Sequence, residues 1–222
     1  AEKNKTIIIE DNIIIDIINS NQLSCISDCE VIDLTNSFVM PGLIDAHVHI
    51  NMNGELDSDR LFLYQNTAEM TLNSMINVQS DLMAGFTTLR DVGSVHFTDV
   101  AVRNAINHGK YFGPRMIVCG WSISPPGGSS DSRCVQGIQG NHPHGKIVNG
   151  IPEILKAVRE NFKYGANATK LMVTNAGGFM GMTSQEMLAA VTVSKSFKAK
   201  TCAHAHGEES IKNAVLAGVD SI

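Results

Sequence analysis

Apolar positions along this chain fall into two regimes. Up to about residue 39 they come as short β-branched runs, at residues 6–9, 13–18 and 31–34, broken by Asp11-Asn12 and by Asn19-Ser20-Asn21. Short β-rich runs between turn residues predict an antiparallel sheet. From Pro41 onward, compact apolar runs alternate with stretches in which apolar residues recur every three or four positions. The runs predict strands at residues 43–49, 87–91, 115–119, 170–173 and 201–204, and the periodic stretches predict helices at about 65–83, 99–107, 152–164, 184–198 and 208–217. In the first of these helices Met70, Leu72, Met75, Ile76 and Leu82 share helical spacing, and Gly85 follows as a C-cap. Ser184 and Glu186 suit the start of the fourth. Residues 219–222 read as the beginning of a sixth strand. Strands alternating with helices build parallel βαβ units. A right-handed series of such units is the (β/α)8 TIM-barrel pattern, whose chemistry sits at the C-terminal ends of the strands.

The stretch from 120 to 150 breaks this rhythm, being rich in Gly, Pro, Ser and His. Connections in α/β units usually take roughly two to six residues, so a loop of this length covers an active site or is disordered.

Composition narrows the class. With 222 residues, 43% of them hydrophobic and 18% charged, the chain can bury a sizeable core as one or two domains. A formal charge of -5 and no Lys/Arg cluster argue against nucleic acid or a membrane surface as partner, leaving a small neutral or polar molecule. No apolar run approaches the roughly 18 residues of a membrane span, and no signal-peptide core follows the first residues, so the cytoplasm is the default. Cys25 and Cys29 lack a second pair at zinc-ribbon or finger spacing. All five cysteines are expected as free thiols of a reducing compartment.

The chemistry concentrates on a few strand positions. Pro41-Gly42 forms a turn that launches the strand carrying His47 and His49. Alternate residues of a strand share a face, so the two imidazoles stand side by side and can grip one metal ion. Asp45 lies one pleat below, placed to orient a ligand imidazole. Lys170 begins a buried-looking strand, and Gly177-Gly178 beyond it permits close backbone approach to a ligand. His204 and His206 repeat the alternate-face geometry. Arg90, beside Asp91, is a candidate for a substrate carboxylate or an internal ion pair. His142 and His144 flank a proline in the long loop with no predicted strand to fix them, and His96 and His108 read as surface residues. Gly127-Gly128-Ser129-Ser130 lacks the Gly-Lys-Ser/Thr of a phosphate-binding loop.

The run Val39-Met40-Pro41-Gly42-Leu43-Ile44-Asp45-Ala46-His47-Val48-His49 resembles the first barrel strand of the metal-dependent amidohydrolase superfamily, in its imidazolonepropionase-like branch, which includes Xaa-Pro dipeptidases. The resemblance implies a part of a small β-sandwich domain at residues 1–40 and an incomplete hydrolase barrel at 41–222. It implies that His47 and His49 bind one zinc, that Lys170 as a carbamate bridges two, and that His204 binds the second. His206 then touches substrate or the surrounding shell. Two such ions, roughly 3.5–4 Å apart, polarise a carbonyl and activate a bridging water for attack on an amide. The implied activity is hydrolysis of a dipeptide or N-acyl amino acid, by a homo-oligomer.

Two rival readings stand beside it. Imidazolonepropionase itself, a cyclic-amide hydrolase, lacks the bridging lysine, so Lys170 argues against it. A non-catalytic barrel used for binding or assembly tends to lose metal ligands, which this chain retains. In the family's long loop a Gly-Gly-His is frequent where this chain has Gly127-Gly128-Ser129. The family's zinc histidine on strand six and its proton-shuttling aspartate on strand eight fall beyond Ile222, so the isolated polypeptide is expected to be inactive or nearly so.

Overall fold

A computed structural model of the chain describes residues 2–25, 29–54, 62, 64–131, 144–175 and 178–222. The chain divides into two compact units, Ala1–Pro41 and Gly42–Ile222.

In the first unit β1 (Lys5–Glu10) and β2 (Ile13–Asn19) pair antiparallel from Lys5 opposite Asn19 to Glu10 opposite Ile13, with a bulge between Ile8 and Ile9. Asp11 makes the turn at a φ of 53°. A 3-10 turn, Ser20–Cys25, follows. The strand expected at 31–34 is not formed: the segment has no ladder partner among the described residues. Apolar alternation alone does not make a strand, because its backbone groups need a neighbour to pair with.

The second unit is a partial (β/α) barrel. One parallel sheet orders β3 (Leu43–Val48), β4 (Phe86–Asp91) and β5 (Arg115–Val118). A second orders β7 (Gly145–Ile147), β6 (Ser122–Ser124), β8 (Ala168–Met172) and β9 (Lys200–His204), again all parallel. Asn167 joins the two sheets, its amide donating to the Val118 carbonyl at 2.9 Å and its side-chain oxygen accepting from the Val118 amide at 2.7 Å. β5 and β6 thus occupy one barrel position, interrupted where Gly120 takes a φ of +65° and a Cβ would stand 3.0 Å from the Phe97 ring. Beyond β9, the Ala203 amide donates to the Ser221 carbonyl at 2.9 Å, the beginning of a sixth neighbour. The long stretch after β5 thus contains both β6 and β7.

The helices are α1 (Thr67–Met83), α2 (Thr98–Asn107), α3 (Ile151–Lys163), α4 (Ser184–Ser196) and α5 (Glu208–Leu216). Two begin in capping boxes: Asn66 with Glu69 for α1, and Thr183 with Glu186 for α4. These reciprocal bonds satisfy otherwise orphaned amides, which is why α1 begins at Thr67 rather than at Gln65. Among the described residues no helix is long and apolar enough to cross a membrane.

Two cores cover the outer faces of the strands. Leu89, Met116 and Val118 pack with Val78 of α1 and with Val100 and Val102 of α2. Leu171 and Ala203 pack with Val158 of α3, Ala190 of α4 and Ala214 of α5. Because strands alternate, burying these residues under helices turns their neighbours to the opposite, inner face. Leu171 is 0% exposed, so Leu171→Ala is expected to lower unfolding free energy by about 2–5 kcal/mol. Leu188→Ala, at a position 54% exposed, should change it by no more than about 0.5 kcal/mol. Urea denaturation of both variants against the parent checks the difference.

Candidate active site

The alternation that sets the cores also sets the site. Val48 packs toward the helix-covered side with Ile50, so His47 and His49 face the other way. Leu171 and Ala203 belong to the outer core, which leaves Lys170, Cys202 and His204 on the inner face. Just below them Val92, Cys119, Ala168 and Cys202 form a small apolar layer of their own. The ring centroids of His47 and His49 are 5.5 Å apart, and those of His204 and His206 4.6 Å apart.

Electrostatics show that these groups share one region. Burial first, and then the Lys170 charge, pull the His47 pKa below its ordinary value. Burial does the same to His49, again with Lys170 contributing. His204 is lowered to about 4, by burial and then by His206, Lys170, His47 and His49. All three rings therefore carry free nitrogen lone pairs at neutral pH, the state a metal requires.

Lys170 is 2% exposed, the largest of the fully buried side chains. Among the described ion pairs none involves it. Burial pushes its pKa down, partly opposed by the Cys202 and Cys119 thiols. Burial of this kind weighs against the charged ammonium form. Cys29, Cys119 and Cys202 are free thiols, while Cys134 and the side chain of Cys25 lie outside the described residues.

Two expectations about supporting contacts are corrected. Asp45 does not reach an imidazole: its Oδ1 accepts from the backbone amide of His47 at 2.9 Å, so it stiffens the strand rather than orienting a ring. The ring that is held is that of His49, whose Nδ1 lies 2.9 Å from the Gly93 carbonyl. A carbonyl only accepts, so Nδ1 is the donor and Nε2 keeps the lone pair. Arg90 and Asp91, neighbours on a strand, point to opposite faces. Arg90 Nε donates to the Ala46 carbonyl at 2.7 Å, while buried Asp91 accepts from the Ile50 and Gly93 amides.

Further residues that sequence patterning passed over support the rim. Buried Asn51 donates to Ser74 at 2.9 Å and Thr98 at 2.8 Å, and its carbonyl oxygen accepts from the Val95 amide and the Ser94 hydroxyl. This uses the full hydrogen-bonding capacity of the amide and fixes the segment after His49 against α1 and α2. Beside His49 opens a cavity of about 130 Å³, walled by apolar Met52, Phe62, Val95 and Met172 and by the serines Ser122, Ser129 and Ser130. His144 completes that wall, its ring 4.1 Å from Phe62. Ser129 is anchored through its amide to the Thr174 carbonyl at 3.3 Å. Thr174 Oγ1 in turn accepts from the amide of exposed His206 at 2.7 Å. His142 and Gly177 lie outside the described residues. His96 and His108 remain surface residues, with the His108 ring meeting the Asn104 carbonyl at 2.7 Å.

Among the described residues no three of His, Cys, Asp and Glu are grouped to hold a metal ion. The inner-face set extends beyond its histidines through Lys170, and the donor chemistry fits a divalent cation: three unprotonated imidazoles and a buried amine whose ammonium form burial disfavours.

An incomplete parallel barrel with imidazoles and a buried lysine at the inner, C-terminal ends of its strands defines the class of protein. Residues 38–222 match the amidohydrolase family, and the chain belongs to it. Its fold is shared with a crystal structure of an amidohydrolase at 28% identity and a TM-score of 0.84, covering 97% of this chain and 55% of that one. A Xaa-Pro dipeptidase with methionine bound in its active site matches at 29% identity and 0.82, with the same two coverages. For the A. niger ochratoxinase the values are 24% and 0.69, over 81% of this chain and 46% of that one, a likeness of fold alone. The chain thus spans 55% of the length of the first two structures. Comparison with curated proteins gives no match.

The His204 shift yields a pH prediction. An ordinary histidine takes its proton near 6.5, whereas folded His204 resists it to about 4. The unfolded chain therefore binds more protons across that window, and the stability tied to neutral His204 is lost as pH falls from about 6.5 through 4. In the metal-free protein an NMR titration of the His204 ring should show a midpoint near 4, and one near 6.5 would place the ring in solvent.

Proposed function

We propose that this chain carries the first part of the active site of a metal-dependent amidohydrolase acting on the amide or peptide bond of a dipeptide or N-acyl amino acid. The observation that carries the reading is the burial of Lys170, without an ion-pair partner among the described residues, on the same inner face as His47, His49 and His204. A barrel kept only for assembly has no use for an ammonium placed there, since burying an unpaired charge is costly.

In this reading His47 and His49 would hold one zinc ion and His204 a second. The Lys170 amine adds to the carbon of CO2 and releases a proton to solvent, and the resulting carbamate, an anion where a cation stood, would serve as a further ligand. When bound, the ions supply Lewis acidity toward the amide carbonyl and lower the pKa of water. The chain's own residues do the rest. The Gly93 carbonyl keeps the His49 lone pair on Nε2. Arg90, fixed to the Ala46 carbonyl, turns positive charge toward the inner face and offers it to a substrate carboxylate. His206, exposed beside His204, contacts the substrate. The cavity next to His49 has no Asp, Glu, Lys or Arg in its described walls, and it suits a compact, uncharged substrate group. A homo-oligomer in the cytoplasm remains the expected setting.

The experiment is zinc binding measured with and without bicarbonate, alongside carbon-13 NMR of protein equilibrated with labelled CO2. The parent is expected to show a carbamate signal and bicarbonate-dependent zinc retention. Lys170→Ala should abolish the signal and weaken zinc binding by roughly tenfold or more. Zinc retention indifferent to both bicarbonate and Lys170 would contradict the bridging role.

A further inference from the structure

One buried carboxylate stands outside the proposed ligand set yet is tied to it. Asp91 ends β4 and is 0% exposed. Its Oδ2 accepts from the Ile50 amide at 3.0 Å and its Oδ1 from the Gly93 amide at 2.9 Å. The Gly93 carbonyl, on the far side of the same residue, accepts from His49 Nδ1 at 2.9 Å. A single carboxylate therefore grips both the residue that follows His49 and the residue whose carbonyl meets the His49 ring.

Gly93 makes this arrangement conditional. Its φ of +138° is a conformation that L side chains rarely adopt, and a Cβ there would stand 3.1 Å from Ser122 Cβ. With no side chain of its own to pack, Gly93 depends on hydrogen bonds at both of its peptides: Asp91 holds its amide, and the peptide bearing its carbonyl is held where the Ser94 amide donates to the Gly120 carbonyl at 2.8 Å. Asp91 fixes the side of the residue that the Ser94 bond does not. The carbonyl then fixes which nitrogen of the neutral His49 ring carries the proton, because it can only accept.

We infer that Asp91 is a positioning residue that acts through Gly93 to set the tautomer and direction of His49. The consequence for metal rests on the proposed function, whereas the tautomer stands on the geometry alone. Asp91 acting only as a cap on two loose amides would affect stability and leave the His49 tautomer unchanged.

Long-range proton–nitrogen NMR correlation on histidine-labelled, metal-free protein reads the proton position on each ring. The parent is expected to show His49 in the Nδ1–H form. Asp91→Asn replaces one accepting oxygen with a donor, and Gly93→Ala turns the peptide without touching the carboxylate. Each variant should move His49 to a mixture containing the Nε2–H form. His108, held by the Asn104 carbonyl in α2, should keep its parent signals and so identify a folded variant. Where zinc is added, the same variants should bind it roughly tenfold or more weakly. An unchanged His49 tautomer in either folded variant overturns the relay. A parent with Nδ1–H His49 that binds no zinc would leave the relay standing and count against the metal-dependent function alone.

Discussion

Burying a lysine ammonium costs several kcal/mol unless a counter-charge accompanies it. Lys170 is buried among Ala168, Cys119 and Cys202, small side chains that give it room but no ion pair. Its position follows from its neighbour, because Leu171 must pack beneath α3 and α4, and strand alternation then sends Lys170 inward. The fold thus commits the Lys170 amine to an environment that weighs against its ammonium form. In the proposed function that amine becomes an anion, and the environment hostile to a cation becomes one shaped for a metal-bridging ligand.

Around this inner face the rim is built from backbone bonds to buried side chains. Asp99 accepts from the Gly120 amide at 2.8 Å, Ser94 donates through its amide to the Gly120 carbonyl at 2.8 Å, and Asn51 binds the Val95 amide at 3.0 Å. The segments leaving β3, β4 and β5 are joined in this way. Burial and the neighbouring Asp99 raise the Asp91 pKa well above the usual carboxylate range, while the amides of Ile50 and Gly93 pull against that rise. Holding such groups inside is expensive, and these bonds tie the rim loops to one another.

Much of this could be read from the sequence because it depends on period. His47 and His49 lie two apart on a strand and His204 and His206 on another, so alternation makes each pair legible as sharing a face, whereas Lys170, which precedes an apolar run, gains its place in the site only through the family resemblance. The helices were legible from their apolar spacing, and their starts sharpen once Asn66-x-x-Glu69 and Thr183-x-x-Glu186 are seen as capping boxes. What escaped depends on neighbours in space. Residues 31–34 look like a strand and form none. Ser122–Ser124 and Gly145–Ile147 are too short to announce themselves, yet they pair because β8 offers an edge. Asp45 seemed placed to orient a ring, but a backbone carbonyl, that of Gly93, does so. Carbonyls leave no mark in a sequence, although the glycine at that position is a trace of one.

Whether the inner-face histidines and Lys170 meet at a divalent-cation centre is tested most directly by diffraction from zinc-soaked crystals, collected on either side of the zinc absorption edge. Anomalous density is expected within coordination distance of His47 and His49 Nε2 and again beside His204, with added density on Lys170 Nζ. Anomalous density confined to other residues, or an inner face with an unmodified Lys170 and no zinc, would contradict such a centre.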